Sequence, residues 1–352
     1  MPKHTISKSQ YITGSQCELA LWHYRFKKEL TPEISDADQA RFEAGDEIGR
    51  LAMERIPGGI EVTTPYWDVE GAINLTNQLI EEGKQTIYEA TAIHPVTGAY
   101  SRIDILRKVP ESGLWDLIEV KSSTKVADYY LDDVSFQYYV FDAAGYKINR
   151  SYLMHIDNSY VRDGEIDINQ LFHIEDITDI VLDKQEEVKL RLESIIPVLE
   201  LKEEPQRPIS EHCFKPFECG YKQRCWKDVP EYSVFNVFTK TKAFKLANEI
   251  KSYEVGDIPA DSMPDGNKAT DVTCYQSGDI YVDKDNLKDF MSQLSFPLYY
   301  LDYETINPVV PLYNNSKPYQ QIPFQFSLHI QDSAGGDVDH HEYLHDLSLI
   351  HI

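Results

Sequence analysis

The sequence predicts an α/β protein, and three observations carry that expectation. Three β-type runs lie between residues 86 and 122, divided by turn-forming segments. A helical segment and a further strand follow at once, the order strands, helix, strand expected of an α/β sandwich. A second strand-rich stretch opens at Phe296. The length of 352 residues, with 42% hydrophobic content, supports substantial cores and favours two or more domains.

Taken in order, residues 9–30 and 36–55 read as helices. The second starts behind the capping residues Ser35 and Asp36 and stops before Pro57-Gly58-Gly59. A third helix is expected over 68–82. The strands run from Thr86 to Ile93, Tyr100 to Lys108 and Trp115 to Ser122, forming a meander through His94-Pro95-Val96-Thr97-Gly98 and Pro110-Glu111-Ser112-Gly113. A helix over Asp132 to Ala144 ends at Gly145, and Asn149 to Ile156 reads as the next strand. A long helix from Leu182 to Leu201 stops before Pro205. Beyond Trp226, residues 229–295 read as a connector holding one Lys-rich helix over 239–252. The last strands are placed at Pro297 to Glu304, Ile322 to Ile330 and His340 to His345, giving domains over 1–228 and 296–352 around that connector.

No stretch reaches the roughly 18 apolar residues of a membrane span, and the first residues lack the apolar core of a signal peptide. The expected location is therefore the cytoplasm, without a membrane partner. Thiols stay reduced there, so clustered cysteines point to a metal, a cluster or redox chemistry rather than disulfides. The net charge of −24 opposes general affinity for phosphate backbones, so a nuclease would need a locally basic groove. Arg25, Lys27, Lys28, Lys121 and Lys125 are the candidates, while Glu186, Glu187 and Glu193 read as a solvated helix face.

Glu119 and Lys121 stand two apart on a strand and share a face, with Ile118 and Val120 turned the other way. With Asp104 on the neighbouring strand, two carboxylates converge on a hard cation such as Mg2+, and the lysine orients water or neutralises developing charge. A charged pair at this spacing is common on half-exposed strands, but three features sharpen the assignment. Glu89 offers an extra ligand or a metal-orienting group from the preceding strand. Asp104 interrupts the apolar run from Ile103 to Leu106, where an unpaired carboxylate is costly. Gln137 and Tyr138 follow on the next helix.

Cys17 stands alone upstream, while Cys213, Cys219 and Cys225 repeat every six residues far downstream. Those steps are wider than in zinc knuckles, and four thiolates suit a [4Fe-4S] cluster as well as zinc. Cys274 reads as an ordinary isolated cysteine.

The stretch from Glu89 through Tyr139 resembles the PD-(D/E)XK nuclease superfamily, specifically its RecB-like branch. That resemblance implies a restriction-endonuclease-like core with bound Mg2+ or Mn2+. It implies Asp104 and Glu119 as metal ligands, Lys121 as the catalytic lysine, and Gln137 in a Gln-x-x-x-Tyr-type motif loosened here to Gln137-Tyr138-Tyr139. The branch also carries a histidine after a helical Phe-x-x-Gly. In Phe42-Glu43-Ala44-Gly45-Asp46-Glu47-Ile48-Gly49 that place belongs to Gly49, leaving it to water, Glu47 or Glu89. One cysteine before the core and three after it is similar to the iron-sulfur exonucleases of this branch, including the CRISPR-associated family and the helicase-linked AddB type. The context Ser15-Gln16-Cys17-Glu18-Leu19-Ala20-Leu21-Trp22-His23-Tyr24 resembles theirs. The resemblance, over about residues 5–228, implies a helical subdomain whose [4Fe-4S] cluster on Cys17, Cys213, Cys219 and Cys225 staples the two ends of the domain. Zinc is the lesser alternative.

Asp302-x-Glu304 shares a strand face suited to a metal and resembles the first motif of DnaQ-like (DEDD) exonucleases on the RNase H-like fold. The two-part layout is similar to that of an uncharacterised bacterial family. Such a domain needs further carboxylates, so a truncated fragment with an incomplete second site is expected. Residues 347–352 match a translated sequencing-library transposon-end adapter, which predicts a cut reading frame with an artificial tail. The functional expectation is a metal-dependent DNA exonuclease acting on single-stranded ends in repair, recombination or phage defence. One alternative is a nucleic-acid-binding accessory in which Gly49 marks loss of catalysis. An electron-transfer or redox-sensing protein is another, but it gives no reason for Asp104, Glu119 and Lys121.

Overall fold

The computed structural model describes residues 4–31 and 33–345, so the tail over 347–352 lies outside the described residues. The chain divides into two compact units, the first ending at Lys227 and the second starting at Asp228. The architecture is mixed α/β with a mixed sheet.

The first unit opens with a two-residue strand, β1 (Ile6–Ser7), and helix α1 (Lys8–Gln16). Ser7 and Gln10 cap that helix reciprocally: each side chain accepts the other's backbone N–H. The single helix expected over 9–30 is in fact two. Cys17, extended at φ −159° and ψ 118°, separates α1 from α2 (Glu18–Phe26). It closes one helix by donating its N–H to the Thr13 carbonyl and opens the next by accepting from Leu21 N–H. Helix α3 (Asp36–Arg55) and helix α4 (Val69–Glu81) follow, each begun by a side-chain cap, Ser35 on Asp38 N–H and Asp68 on Gly71 N–H.

The remaining strands of this unit are β2 (Ile60–Glu61), β3 (Thr86–Ile93), β4 (Ala99–Lys108), β5 (Trp115–Lys121), β6 (Ile148–Ile156) and β7 (Phe172–Asp176). They lie in the order β2-β3-β4-β5-β6-β7, with β1 parallel to β4. The β3–β5 meander is antiparallel, and β5 pairs in parallel with β6 across helix α5 (Asp128–Ala143). Helix α5 begins at Asp128, ahead of the expected Asp132. Beyond the short α6 (Ile168–Leu171), the long helix expected from Leu182 to Leu201 is broken at Lys184. It becomes α7 (Thr178–Asp183) and α8 (Gln185–Ile195), followed by a 3-10 turn containing Pro197. Lys184 sits at the break, its ammonium 2.9 Å from Asp132 and 3.1 Å from Glu187.

Sheet residues Ile87, Ile103, Leu106 and Leu117 form the core with Tyr11, Phe136, Phe141 and Leu192 of α1, α5 and α8. Tyr11 stacks on Phe136 at 4.5 Å between centroids. Each such buried side chain contributes roughly 1.5–3 kcal/mol. This packing anchors the Lys8 end of α1 and the Gln137 side of α5 against the same strands.

In the second unit, the stretch expected to be a connector has a hydrophobic cluster of its own. Val234, Ala243, Leu246, Val255 and Val272 are buried together on helices Val234–Val237, Lys240–Ile250 and Asn267–Ser277 and the turn between them. The polar composition concealed this because only one stripe of each short helix is apolar. A further helix, Lys284–Gln293, precedes three antiparallel strands, β8 (Leu298–Ile306), β9 (Ile322–Gln331) and β10 (Val338–Leu344), in the order β10-β9-β8. Among the described residues no helix is long and apolar enough to cross a membrane.

Candidate active site and cysteine cavity

Antiparallel pairing sets Ile105 opposite Ile118, which brings Asp104 and Glu119 side by side on neighbouring strands. Glu119 is 1% exposed and fully engaged. Lys121 Nζ and Lys8 Nζ each donate to its Oε1 at 2.7 Å, and Gln137 Nε2 donates to its Oε2 at 2.6 Å. Burial alone would raise the Glu119 pKa. The charges and hydrogen bonds of Lys121 and Lys8 overcome it and hold the carboxyl well below the usual range. Lys121 also donates to Asp133 at 2.8 Å and lies over the Tyr130 ring at 5.2 Å. Burial pulls down the pKa of both lysines, but Glu119 and Asp133 outweigh it, so each ammonium stays charged.

Asp104 Oδ2 accepts the Val120 N–H at 2.6 Å. Burial, then the negative charges of Glu119 and Glu89, push its pKa well above the ordinary value. Glu89 occupies the left-handed region at φ 56° inside β3, a strained conformation for a residue with a Cβ. Burial pushes its carboxyl up to about 7, against the pull of Arg102 at 3.9 Å and with the added push of Glu119.

These groups border a cleft of about 740 Å³ between α3 and the sheet, lined by Glu61, Glu89, Arg102, Asp104 and Lys121. Its cationic lining is Arg50, Arg102 and Lys121, not Arg25, Lys27, Lys28 or Lys125. Gly49 is on its wall, with nothing within 4 Å of where a Cβ would stand, and Asp46 lines it where Glu47 does not. Glu89, Asp104 and Glu119 supply the oxygen donors that Mg2+ or Mn2+ takes, although no three of their oxygens lie within 4.8 Å of one another. Glu119 offers less, since both its oxygens already accept hydrogen bonds. Lys8 escaped the sequence reading. Its contact spans 111 residues, and the only local signal nearby is the Ser7–Gln10 cap.

Cys17, Cys213, Cys219 and Cys225 line one small cavity together with His23, His212 and Arg207. All five cysteines are free thiols. Gln16 Nε2 donates to the His212 and Phe217 carbonyls, both at 2.8 Å, and Trp22 Nε1 to the Leu201 carbonyl at 3.3 Å, tying the two ends of the unit together. Burial pushes up the Cys17 and Cys219 thiols, and Cys225 to about 11, where crowding by the other cysteines adds to it. Deprotonating such a set needs a bound metal's charge. No three of the four sulfurs lie within 4.8 Å of one another. Thiolates on a single zinc ion would stand roughly 3.8 Å apart. Cys274 lies on the Asn267–Ser277 helix of the second unit.

Asp302 and Glu304 share a face of β8, exposed and opposite Ser327 and Gln325. Among the described residues no third ligand joins them within metal-binding distance.

Residues 299–350, which take in the three-stranded sheet, match the family described as Domain of unknown function (DUF2779). No curated protein matches the chain.

Proposed function

We propose that the first unit is a metal-dependent DNA exonuclease of the RecB-like PD-(D/E)XK kind. In this reading it has a restriction-endonuclease-like core and an iron-sulfur staple, and it works on single-stranded ends in the cytoplasm. The observation that supports this most is the meeting of Asp104, Glu119, Lys121 and Gln137, from two strands and a helix, beside a carboxylate-lined cleft. When bound, Mg2+ or Mn2+ supplies an activated water and neutralises charge on the phosphorane-like transition state.

The chain's own residues do the rest. Asp104 and Glu89 present hard oxygens to the cation. Gln137 and Lys8 lock Glu119 in one orientation, and Glu119 in turn holds the Lys121 ammonium where it orients water and offsets developing negative charge. Arg50 and Arg102 are the cations this cleft offers a phosphate, beside the carboxylates Asp46, Glu61, Glu89 and Asp104 on the same lining. Cys17, Cys213, Cys219 and Cys225 hold a [4Fe-4S] cluster that keeps the two ends of the unit closed around this core. Asp302 and Glu304 belong to the second unit and are not part of this proposed site.

Two observations favour the second reading, a nucleic-acid-binding accessory: Glu119 has both oxygens engaged, and Gly49 contributes no side chain. Digestion of end-labelled single- and double-stranded DNA with Mg2+ or Mn2+, using anaerobically purified protein beside Lys121→Ala, decides between them. Cutting by the parent alone supports the nuclease. Binding without cutting by either selects the accessory.

A further inference from the structure

Strand β7 reads Phe172-His173-Ile174-Glu175-Asp176, so His173 and Glu175, two apart, share a face. Antiparallel pairing sets His155 of β6 directly across from His173, which brings a third side chain to the same patch. The ligand atoms of His155, His173 and Glu175 all lie within 4.8 Å of one another, the one such trio among the described residues. His155 Nε2 is 3.9 Å from Glu175 Oε2, and the two imidazole centroids are 5.2 Å apart. That 3.9 Å is too long for a direct hydrogen bond. It is a few tenths beyond the roughly 3.4 Å between nitrogen and oxygen ligands of one tetrahedral ion.

His155 is 7% exposed, while His173 and Glu175 face solvent and are free to adjust. The buried ring is oriented by its surroundings: Nδ1 lies 3.1 Å from the Ile156 carbonyl. Donation there assigns the proton to Nδ1 and leaves the Nε2 lone pair turned towards Glu175, the role a backbone carbonyl plays behind metal-bound histidines.

We propose that His155, His173 and Glu175 bind a divalent transition metal of the zinc class. This site differs in ligands from both the carboxylate cleft and the cysteine cavity. Two imidazoles and a carboxylate select Zn2+, Co2+ or Ni2+ over Mg2+, and three protein ligands leave a position open. The bound ion clamps β7, the last strand of the sheet, onto β6.

The test is Co2+ binding to the full chain beside His173→Ala and Glu175→Ala, both changes at exposed positions whose folding is checked by circular dichroism in EDTA. Thiolate ligands give Co2+ an intense near-ultraviolet band that nitrogen and oxygen ligands do not, which separates this trio from the cysteines. The expected result is one Co2+ equivalent with weak visible bands, which the parent binds and the variants do not, whatever the cysteines and the cleft take up. Zn2+ displaces it, and either substitution weakens it by at least about tenfold. Zn2+ should also raise the Tm of the parent and not of the variants. Identical binding by parent and both variants, or thiolate bands alone, would overturn the proposal. DNA cleavage is not a readout, so the result stands apart from the fate of the nuclease reading.

Discussion

Lys8 and Glu119, separated by 111 residues, meet at 2.7 Å inside the first unit. The contact ties the N-terminal helix, whose far end opens onto Cys17, to the strand that carries Lys121. The cysteine cavity and the carboxylate cleft are thus joined through one short helix, α1.

Lys8→Met keeps the aliphatic stem and removes the charge, leaving the buried Glu119 to Lys121 and Gln137. The expected loss is on the order of 2 kcal/mol, because a buried carboxylate loses one of two cationic partners. Urea denaturation measures it. DNA cleavage, if present, should fall by more than about tenfold as Glu119 loses its orientation. Unchanged stability would mean that the contact contributes nothing in solution.

In metal-free buffer Glu89 should titrate at about 7, above the ordinary glutamate value of 4.5. The raised folded-state pKa means that the protonated form is the one the fold favours. Its stabilisation is complete below the unfolded value and disappears as pH rises through the folded one. Glu89→Gln should remove this part of the pH dependence of unfolding. Carbon-13 NMR of the carboxyl group in EDTA reads the midpoint directly, and a value near 4.5 would refute the shift.

Cys219→Ser should abolish the iron-sulfur absorbance expected of the anaerobic protein and lower its Tm by several degrees, since a bound cluster stabilises only the folded chain. Metal analysis separates the occupants. About four irons per chain agrees with a [4Fe-4S] cluster, and a single zinc would replace that assignment.

Gly49→His places an imidazole on the cleft wall, where the new Cβ meets no heavy atom within 4 Å. Stability should hold or rise by about 0.5 kcal/mol, because glycine is the poorer residue inside a helix such as α3. Mn2+ affinity, followed by calorimetry, should tighten if this wall faces the cation. Unaltered affinity would remove position 49 from the metal environment.

The amino-acid order was enough wherever the information is local. Asp36–Arg55 is read from its cap and its Pro-Gly-Gly stop, the meander from the turns around Gly98 and Gly113, and the common face of Glu119 and Lys121 from a period of two. The two-residue strands Ile60–Glu61 and Ile6–Ser7 carry no period to read. The breaks at Cys17 and Lys184 fall inside runs whose helical preference continues through them, and packing overrides that preference. Lys8 beside Glu119, His155 across from His173, and four cysteines around one cavity are products of strand register and helix docking. Those follow from which apolar stripes bury one another across the whole chain, and no window of neighbouring residues contains that choice.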